Sequence, residues 1–234
     1  MKRLYFQFRS GGCQLLDRTL SDQDFACDAL SLRTEVLGGS PFFWSCKRGF
    51  DIGACLILLI VLVPLSVAIL ILNPFLNRGK LFFFQERMGR NCQPFMAIKF
   101  RSMTAATCIT RSHDDPIEHE RITRLGNFLR RSRIDELPQI LNVLKGEMSL
   151  IGPRPDYYEH ARVFRATIPT YAERHAIRPG ISGLAQVDLG YAEGSDATRK
   201  KVAKDHYYIH HAGFYQELRL IFATIVTVVT MAGA

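Results

Sequence analysis

Between Ile52 and Leu72 the chain runs for 21 residues without a charge, and that stretch limits what the rest can fold into. At ~1.5 Å per residue, a helix of this length reaches about the ~30 Å of a bilayer's hydrocarbon layer. Lys47 and Arg48 precede it, and Arg78 and Lys80 follow it. Basic flanks favour the cytoplasmic side, so a single crossing would put one pair on the wrong face, whereas a re-entrant helix satisfies both. Pro64 lies near its middle. A proline there removes one backbone donor and crowds the preceding turn, so the helix should break at Val63-Pro64 and turn back. A straight spanning helix with a tolerated proline is the alternative. Leu220 to Ala234 is also apolar, but over only 15 residues, with Thr224, Thr227 and Thr230 on one face. That length suits an interfacial helix or one buried against the domain.

These segments divide the chain. Residues 1–45, with Gly11-Gly12, Gly38-Gly39 and Ser40-Pro41, read as a poorly ordered extension without the apolar run of a cleavable signal. Residues 46–76 form the membrane helix, 77–219 a polar domain that carries the chemistry, and 220–234 the apolar end. Leu81–Phe84 and Phe95–Phe100 read as short strands around a polar turn at Met88–Pro94, followed by a loop over 104–120 and a short helix over Arg121–Leu129. Leu137, Ile140, Leu141 and Leu144 recur at helical spacing, and Gly146 is placed to stop that helix. The fold class is α+β and mostly helical: a membrane helix-break-helix joined to a small cytoplasmic domain with short strands and interfacial helices.

The net charge of +8 calls for an anionic partner: nucleic acid, lipid headgroups or a phosphorylated substrate. No recognised nucleic-acid module is present, so nucleic acid is not expected. Six cysteines without a C-x-x-C pair indicate neither a disulfide framework nor a structural metal, and reduced thiols are expected. His206 and His210 share a helical face but lack a third ligand, which favours a non-ligand role.

The most informative stretch is Arg130 to Pro155. Asp135 and Glu136 are adjacent, and if a helix begins there, Asp135 falls near its N-cap with Pro138 in the first turn. Adjacent helical residues point about 100° apart, so one carboxylate can attack while the other holds a metal or orients a group. Arg121, Arg124, Arg130, Arg131 and Arg133 surround the pair with no acid between residues 121 and 133. A capping aspartate among surface ion pairs is the plainer reading. Gly152-Pro153-Arg154-Pro155 weighs against it, because two prolines stiffen the backbone around one guanidinium, as bidentate phosphate recognition requires.

Six ordered motifs carry a resemblance. They are Lys47-Arg48-x-x-Asp51, Gln85-Glu86-Arg87-x-Gly89, Lys99-Phe100-Arg101-Ser102-Met103, Asp135-Glu136-Leu137-Pro138-Gln139 with Leu141 to Gly146, Gly152 to Pro155, and Arg178-Pro179-Gly180-Ile181-Ser182-Gly183 with Gln186-Val187. Together, over about residues 46 to 229, they closely resemble the bacterial sugar transferase family, the monotopic phosphoglycosyl transferases. Members that initiate exopolysaccharide synthesis are nearest in length.

The resemblance implies a re-entrant membrane helix broken at Pro64, an Asp-Glu dyad, Mg2+ dependence, a UDP-sugar donor and polyprenyl (undecaprenyl) phosphate as acceptor. It places the protein among membrane lipids at the cytoplasmic face of the bacterial inner membrane and leaves room for a homodimer. By motif position, Asp135 is the nucleophile and Glu136 its partner, with Mg2+ at this pair; Lys99, Arg130 and Arg154 fall on active-site positions. Pro153, Arg101, Arg87, Arg178 and Gln186 are the motif residues expected around the substrate. Four departures stand out. Val63 replaces the serine frequent before the break proline. Cys92 stands where glycine is usual, and Arg133 replaces a small polar residue. Asp188-Leu189-Gly190 replaces a frequent Asn-Gly-Arg, leaving the sugar unassigned. A non-catalytic basic membrane-surface protein, or a scaffold of polysaccharide assembly, would share the charge but leave the dyad without a purpose.

Overall fold

The computed structural model describes residues 37–77, 79–104, 119–190 and 195–231, so most of the N-terminal extension and of the loop expected over 104–120 lie outside the described residues. Helix α1 spans Pro41–Leu76. Pro41 takes the first helical position, where its missing N–H costs nothing, and the Ser40 hydroxyl accepts from the Phe43 amide at 3.2 Å. The helix-break-helix expectation meets a continuous helix here, with Pro64 and Pro74 both inside it. The Ser66 hydroxyl donates to the Leu62 carbonyl at 2.7 Å, a local bond that lets a helix bend without opening.

One stripe of α1 is buried: Lys47, Asp51, Cys55, Leu62, Ile69 and Asn73. The remainder exposes large apolar side chains, among them Ile57, Ile60, Val61, Leu70, Ile71 and Phe75. Both ends are tied to the same domain. Near the start, Arg48 donates to the Val143 carbonyl at 2.8 Å, and Asp51 accepts from the Ser149 hydroxyl at 2.7 Å and the Leu150 amide at 3.2 Å. Beyond the other end, Asn77 donates to the Arg101 carbonyl at 2.6 Å and accepts from Thr123 at 3.0 Å. Among the described residues, α1 is the one helix long and apolar enough to cross a membrane.

Strands β1 (Phe82–Met88) and β2 (Pro94–Phe100) form an antiparallel hairpin, with Phe82 opposite Phe100 and Met88 opposite Pro94. β1 runs past the expected end at Phe84 because a two-stranded sheet leaves room at its surface for Gln85, Glu86 and Arg87. In the turn, Asn91 and Cys92 both adopt left-handed backbone, φ 57° and 58°, which explains why glycine suits position 92. Helix α2 covers Arg124–Arg131 and is capped by Thr123, whose hydroxyl accepts from the Gly126 amide at 2.9 Å. A tight 3-10 turn over Ile134–Gln139 leads into α3 (Ile140–Lys145), and Gly146, at φ 88°, ends α3 as expected.

Strand β3 (Ser149–Ile151) pairs in parallel with β4 (Gly180–Ser182). Then come α4 (Tyr158–Thr167) between the two strands, and α5 (Leu184–Leu189), α6 (Ser195–His210) and α7 (Phe214–Val229) after them. α7 starts six residues before the expected Leu220 because its first turn hides polar groups: buried Glu217 accepts from Lys47 at 2.8 Å and from the Tyr208 hydroxyl. Reduced thiols are found at Cys46 and Cys55, whereas Cys92 is in a disulfide.

The main core lies under α1, where Cys55, Leu62 and Ile69 meet Phe95, Ala97, Phe100, Leu129, Ile140 and Val143. Asn142, fully buried, joins α3 to the hairpin. It accepts from the Ile98 amide at 3.1 Å and donates to the Met96 carbonyl at 2.8 Å and to Glu147 at 2.7 Å. Asn142→Leu strands the buried Ile98 amide and removes two part-buried bonds, and should cost about 2–4 kcal/mol, read as a lower thermal midpoint.

Candidate active site

Asp135 and Glu136 sit in the 3-10 turn, with Asp135 two residues past the capping position expected for it. The capping position is Arg133, held in left-handed backbone at φ 58°, and Asp135 follows within the first turn. A 3-10 turn has ~3 residues per turn, so neighbouring side chains diverge by about 120°. Both carboxylates are buried, at 7% and 5% exposure, and their surroundings differ sharply.

Glu136 is enclosed by cations. Lys99 on β2 donates to Oε1 at 2.7 Å; Arg154 grips Oε2 at 3.0 Å and also reaches Oε1; Arg133 stands 3.9 Å from Oε2. Burial alone would raise its pKa, but the Arg154 and Lys99 charges outweigh it and hold the carboxyl well below the usual range. Lys99 is pushed down to about 8, chiefly by burial and against the pull of Glu136. Asp135 receives no such support: its Oδ1 is buried without a hydrogen-bond partner. Burial pushes its pKa up to about 6, opposed by Lys99, Arg154 and Arg130 and reinforced by Glu136. Arg130 Nη1 is likewise buried without a partner. An unpaired acceptor and an unpaired donor in one buried place leave an opening for a polar substrate.

Arg154 owes its place to a loop held at each carbonyl in turn. The Pro153 carbonyl accepts from the Gly180 amide at 2.9 Å, that of Arg154 from Arg174 at 2.7 Å, that of Pro155 from Arg87, and that of Asp156 from the Met88 amide at 3.1 Å. Gly180 and Gly183 permit this closeness, since a Cβ on either would lie 2.1 or 2.2 Å from the Gly152 backbone. The rigidity expected from the prolines therefore comes as much from partners distant in sequence.

The motif residues divide into two groups. Asp135, Glu136, Lys99, Arg154 and Arg130 converge. Gln186 joins through the Ile181 carbonyl, which accepts from both Gln186 at 3.4 Å and Arg154 at 3.3 Å, while Pro153 and Arg87 act on the loop. Arg101 and Arg178 are directed elsewhere. Arg101 donates to the Lys80 carbonyl at 2.9 Å, beside the end of α1; Arg178 donates to the Gly146 carbonyl at 2.8 Å and lines a cavity of about 410 Å³ with Trp44, Arg48 and Asp51. Sequence reasoning missed Arg174 and Asp156 and saw in Asp205 only a local cap or ion pair. Each stands among other polar residues, as Arg174 does between Glu173 and His175, so nothing local singles it out.

For a divalent cation, the donor set fits in one form. Asp135 has a carboxylate oxygen to offer, whereas both oxygens of Glu136 are committed to cations. A hard cation held by one carboxylate and by substrate phosphates matches this; a two-carboxylate site does not.

The family model described as bacterial sugar transferase matches residues 42–231. A UDP-N-acetylgalactosamine-undecaprenyl-phosphate N-acetylgalactosaminephosphotransferase of Aeromonas hydrophila is 42% identical over 83% of this chain and 46% of its own length. An exopolysaccharide production protein of Rhizobium leguminosarum bv. phaseoli is 39% identical over 79% of this chain and 95% of its own. A UDP-glucose:undecaprenyl-phosphate glucose-1-phosphate transferase of Klebsiella pneumoniae is 34% identical over 91% and 49%. The chain thus spans about half the length of the first and third relatives and nearly all of the second.

Proposed function

The chain belongs to the bacterial sugar transferase family, and on that premise we propose that it transfers a sugar-1-phosphate from a UDP-sugar to polyprenyl (undecaprenyl) phosphate, releasing UMP, at the start of exopolysaccharide or other surface-glycan synthesis. The observation that carries the reading is the buried Asp135 carboxylate, its Oδ1 without a hydrogen-bond partner, beside the Lys99–Glu136–Arg154 cluster.

A carboxylate stripped of water and of donors is a stronger nucleophile than a solvated one. In the proposed first step, an Asp135 oxygen attacks the phosphorus next to the sugar, the bond to UMP breaks, and UMP departs with that bond's electron pair. In the second, a phosphate oxygen of the polyprenyl carrier attacks the same phosphorus and frees Asp135, leaving sugar-diphosphate-lipid. Arg154, Lys99 and Arg130 face the charge that builds on the diphosphate, while Glu136 keeps the first two in place. Mg2+, when bound, supplies further neutralisation, with Asp135 as the side chain able to hold it. Arg101 and Arg178 enter this reading only as supports of the scaffold.

The membrane segment suits an acceptor whose phosphate lies at headgroup level. Re-entry of α1 is supported by its two anchored ends. From Asp51 to Asn77 a straight helix would run ~39 Å, yet Arg48 and Asp51 towards one end and Asn77 just past the other bond to one small domain. The helix is continuous through Pro64, so re-entry requires a bend within it and not a break. The exposed apolar face of α7, with Leu218, Phe222, Ile225 and Val229, suits the interface at the cytoplasmic face of the inner membrane.

The test is a UMP-release screen of the purified protein over several UDP-sugars, with and without polyprenyl phosphate and Mg2+. Release with an isolatable phosphosugar adduct on Asp135 is expected; silence with every donor would end the reading. With an active donor, kcat/KM should be bell-shaped in pH. It rises as Asp135 loses its proton near pH 6 and falls as Lys99 loses its own near pH 8.

A further inference from the structure

Behind the Arg154 loop lies a second buried charge cluster. The Arg174 side chain is fully buried. It donates to the Arg154 carbonyl at 2.7 Å and to Asp156 Oδ2, and it stands 2.7 Å from Asp205 Oδ2 on α6. Asp156 also accepts from the Tyr171 hydroxyl at 2.7 Å and from Lys201, one helical turn before Asp205. Two cations and two anions thus meet in one cluster, with Arg174 and Asp205 fully buried and Asp156 and Lys201 mostly so. Such a neutral buried cluster is weak evidence of stabilisation, since apolar side chains of similar size often do as well. What it does supply is geometry: one planar fork binds the backbone of the residue whose own side chain grips Glu136.

We propose that Arg174 is a positioning residue that sets Arg154 against Glu136, and that Asp205 orients Arg174 from α6. This rests on the sugar-phosphate transfer proposed above. Lysine at position 174 keeps the charge, but its donors leave from a single nitrogen and do not reproduce the fork in which Nη1 meets Asp156 while Nη2 meets the loop carbonyl and Asp205. Arg174→Lys should therefore lower kcat by about tenfold with little change in KM, and Asp205→Asn should act in the same direction but less.

A double-mutant cycle distinguishes positioning from general loosening. If Arg174 works through Arg154, then Arg174→Lys has no further effect on the residual turnover of Arg154→Met; a fully additive loss would overturn the proposal. Amide exchange gives a readout independent of turnover. In Arg174→Lys, exchange over residues 152–158 should quicken by about tenfold while the β1–β2 hairpin is unchanged; no local change there would also overturn it. If Arg174→Lys does not fold, the same two measurements are made on Asp205→Asn, with the same outcomes. A wild-type protein that releases no UMP refutes the transfer reading alone, and exchange then decides the positioning.

Discussion

Asp135→Asn should abolish transfer and make the protein harder to unfold. Losing the attacking group should cut UMP release by roughly 10³-fold or more, and no phosphosugar adduct should form. The stability effect follows from burial. Folding moves this carboxyl from its ordinary 3.8 up to about 6, so the folded protein holds a proton that the unfolded chain gives up. Stability associated with the protonated acid is full below about pH 4 and is lost as pH rises through 6. At pH 7 the native carboxylate is charged, desolvated and without a donor, a penalty an amide avoids. The expected gain is about 2 kcal/mol, or about 4–8 °C in thermal midpoint for a chain this size. Midpoints of the two proteins should converge near pH 4 to 5. A variant that keeps substantial turnover would point instead to direct displacement by the lipid phosphate.

Glu136→Gln, the same change one residue along, should move stability the other way. Its carboxylate accepts from both Lys99 and Arg154, and an amide in its place leaves two largely buried cations facing a neutral group. Breaking a buried pair from one side costs about 3–5 kcal/mol, so the midpoint should fall by roughly 10 °C. The pH dependence also inverts. A carboxyl held well below its ordinary range contributes stability that is full at neutral pH and lost in acid as it takes up a proton. The deficit of Glu136→Gln should therefore be greatest near pH 7 and shrink as pH falls. Turnover should drop as well, because Arg154 loses the group that aims it. If the two variants shift the midpoint in the same direction, the contrast between the two environments is wrong.

Much of the fold was legible because it depends on local pattern. The uncharged run marked α1, the short apolar runs Leu81–Phe84 and Phe95–Phe100 marked the hairpin, and Gly146 marked the end of α3. Misplaced boundaries share one cause. Gln85, Glu86 and Arg87 in β1 and Gln216, Glu217 and Arg219 in α7 are polar residues inside regular elements, and whether such a residue is exposed, as Glu86 is, or paired in the interior, as Glu217 is with Lys47, depends on contacts that no window of sequence contains. The site was legible where its residues cluster in the chain, at Asp135-Glu136 and Gly152 to Pro155. It was illegible where a role passes through the backbone. Arg178 and Arg101 lie in strong motifs yet bind carbonyls away from the dyad, whereas Arg174, in an unremarkable stretch, holds the loop that matters.

The carbonyl-by-carbonyl fastening of residues 153–156 has a consequence for biosynthesis. Its partners are Met88, Arg87, Arg174 and Gly180, and Arg174 in turn leans on Asp205. A polypeptide made from its N-terminus releases α1 from the ribosome more than a hundred residues before the last of these. The greasy segment is thus available to lipid while the chemical centre is still in pieces, and a nascent chain stalled before α6 would carry its dyad and Arg174 without the Asp205 that orients that guanidinium.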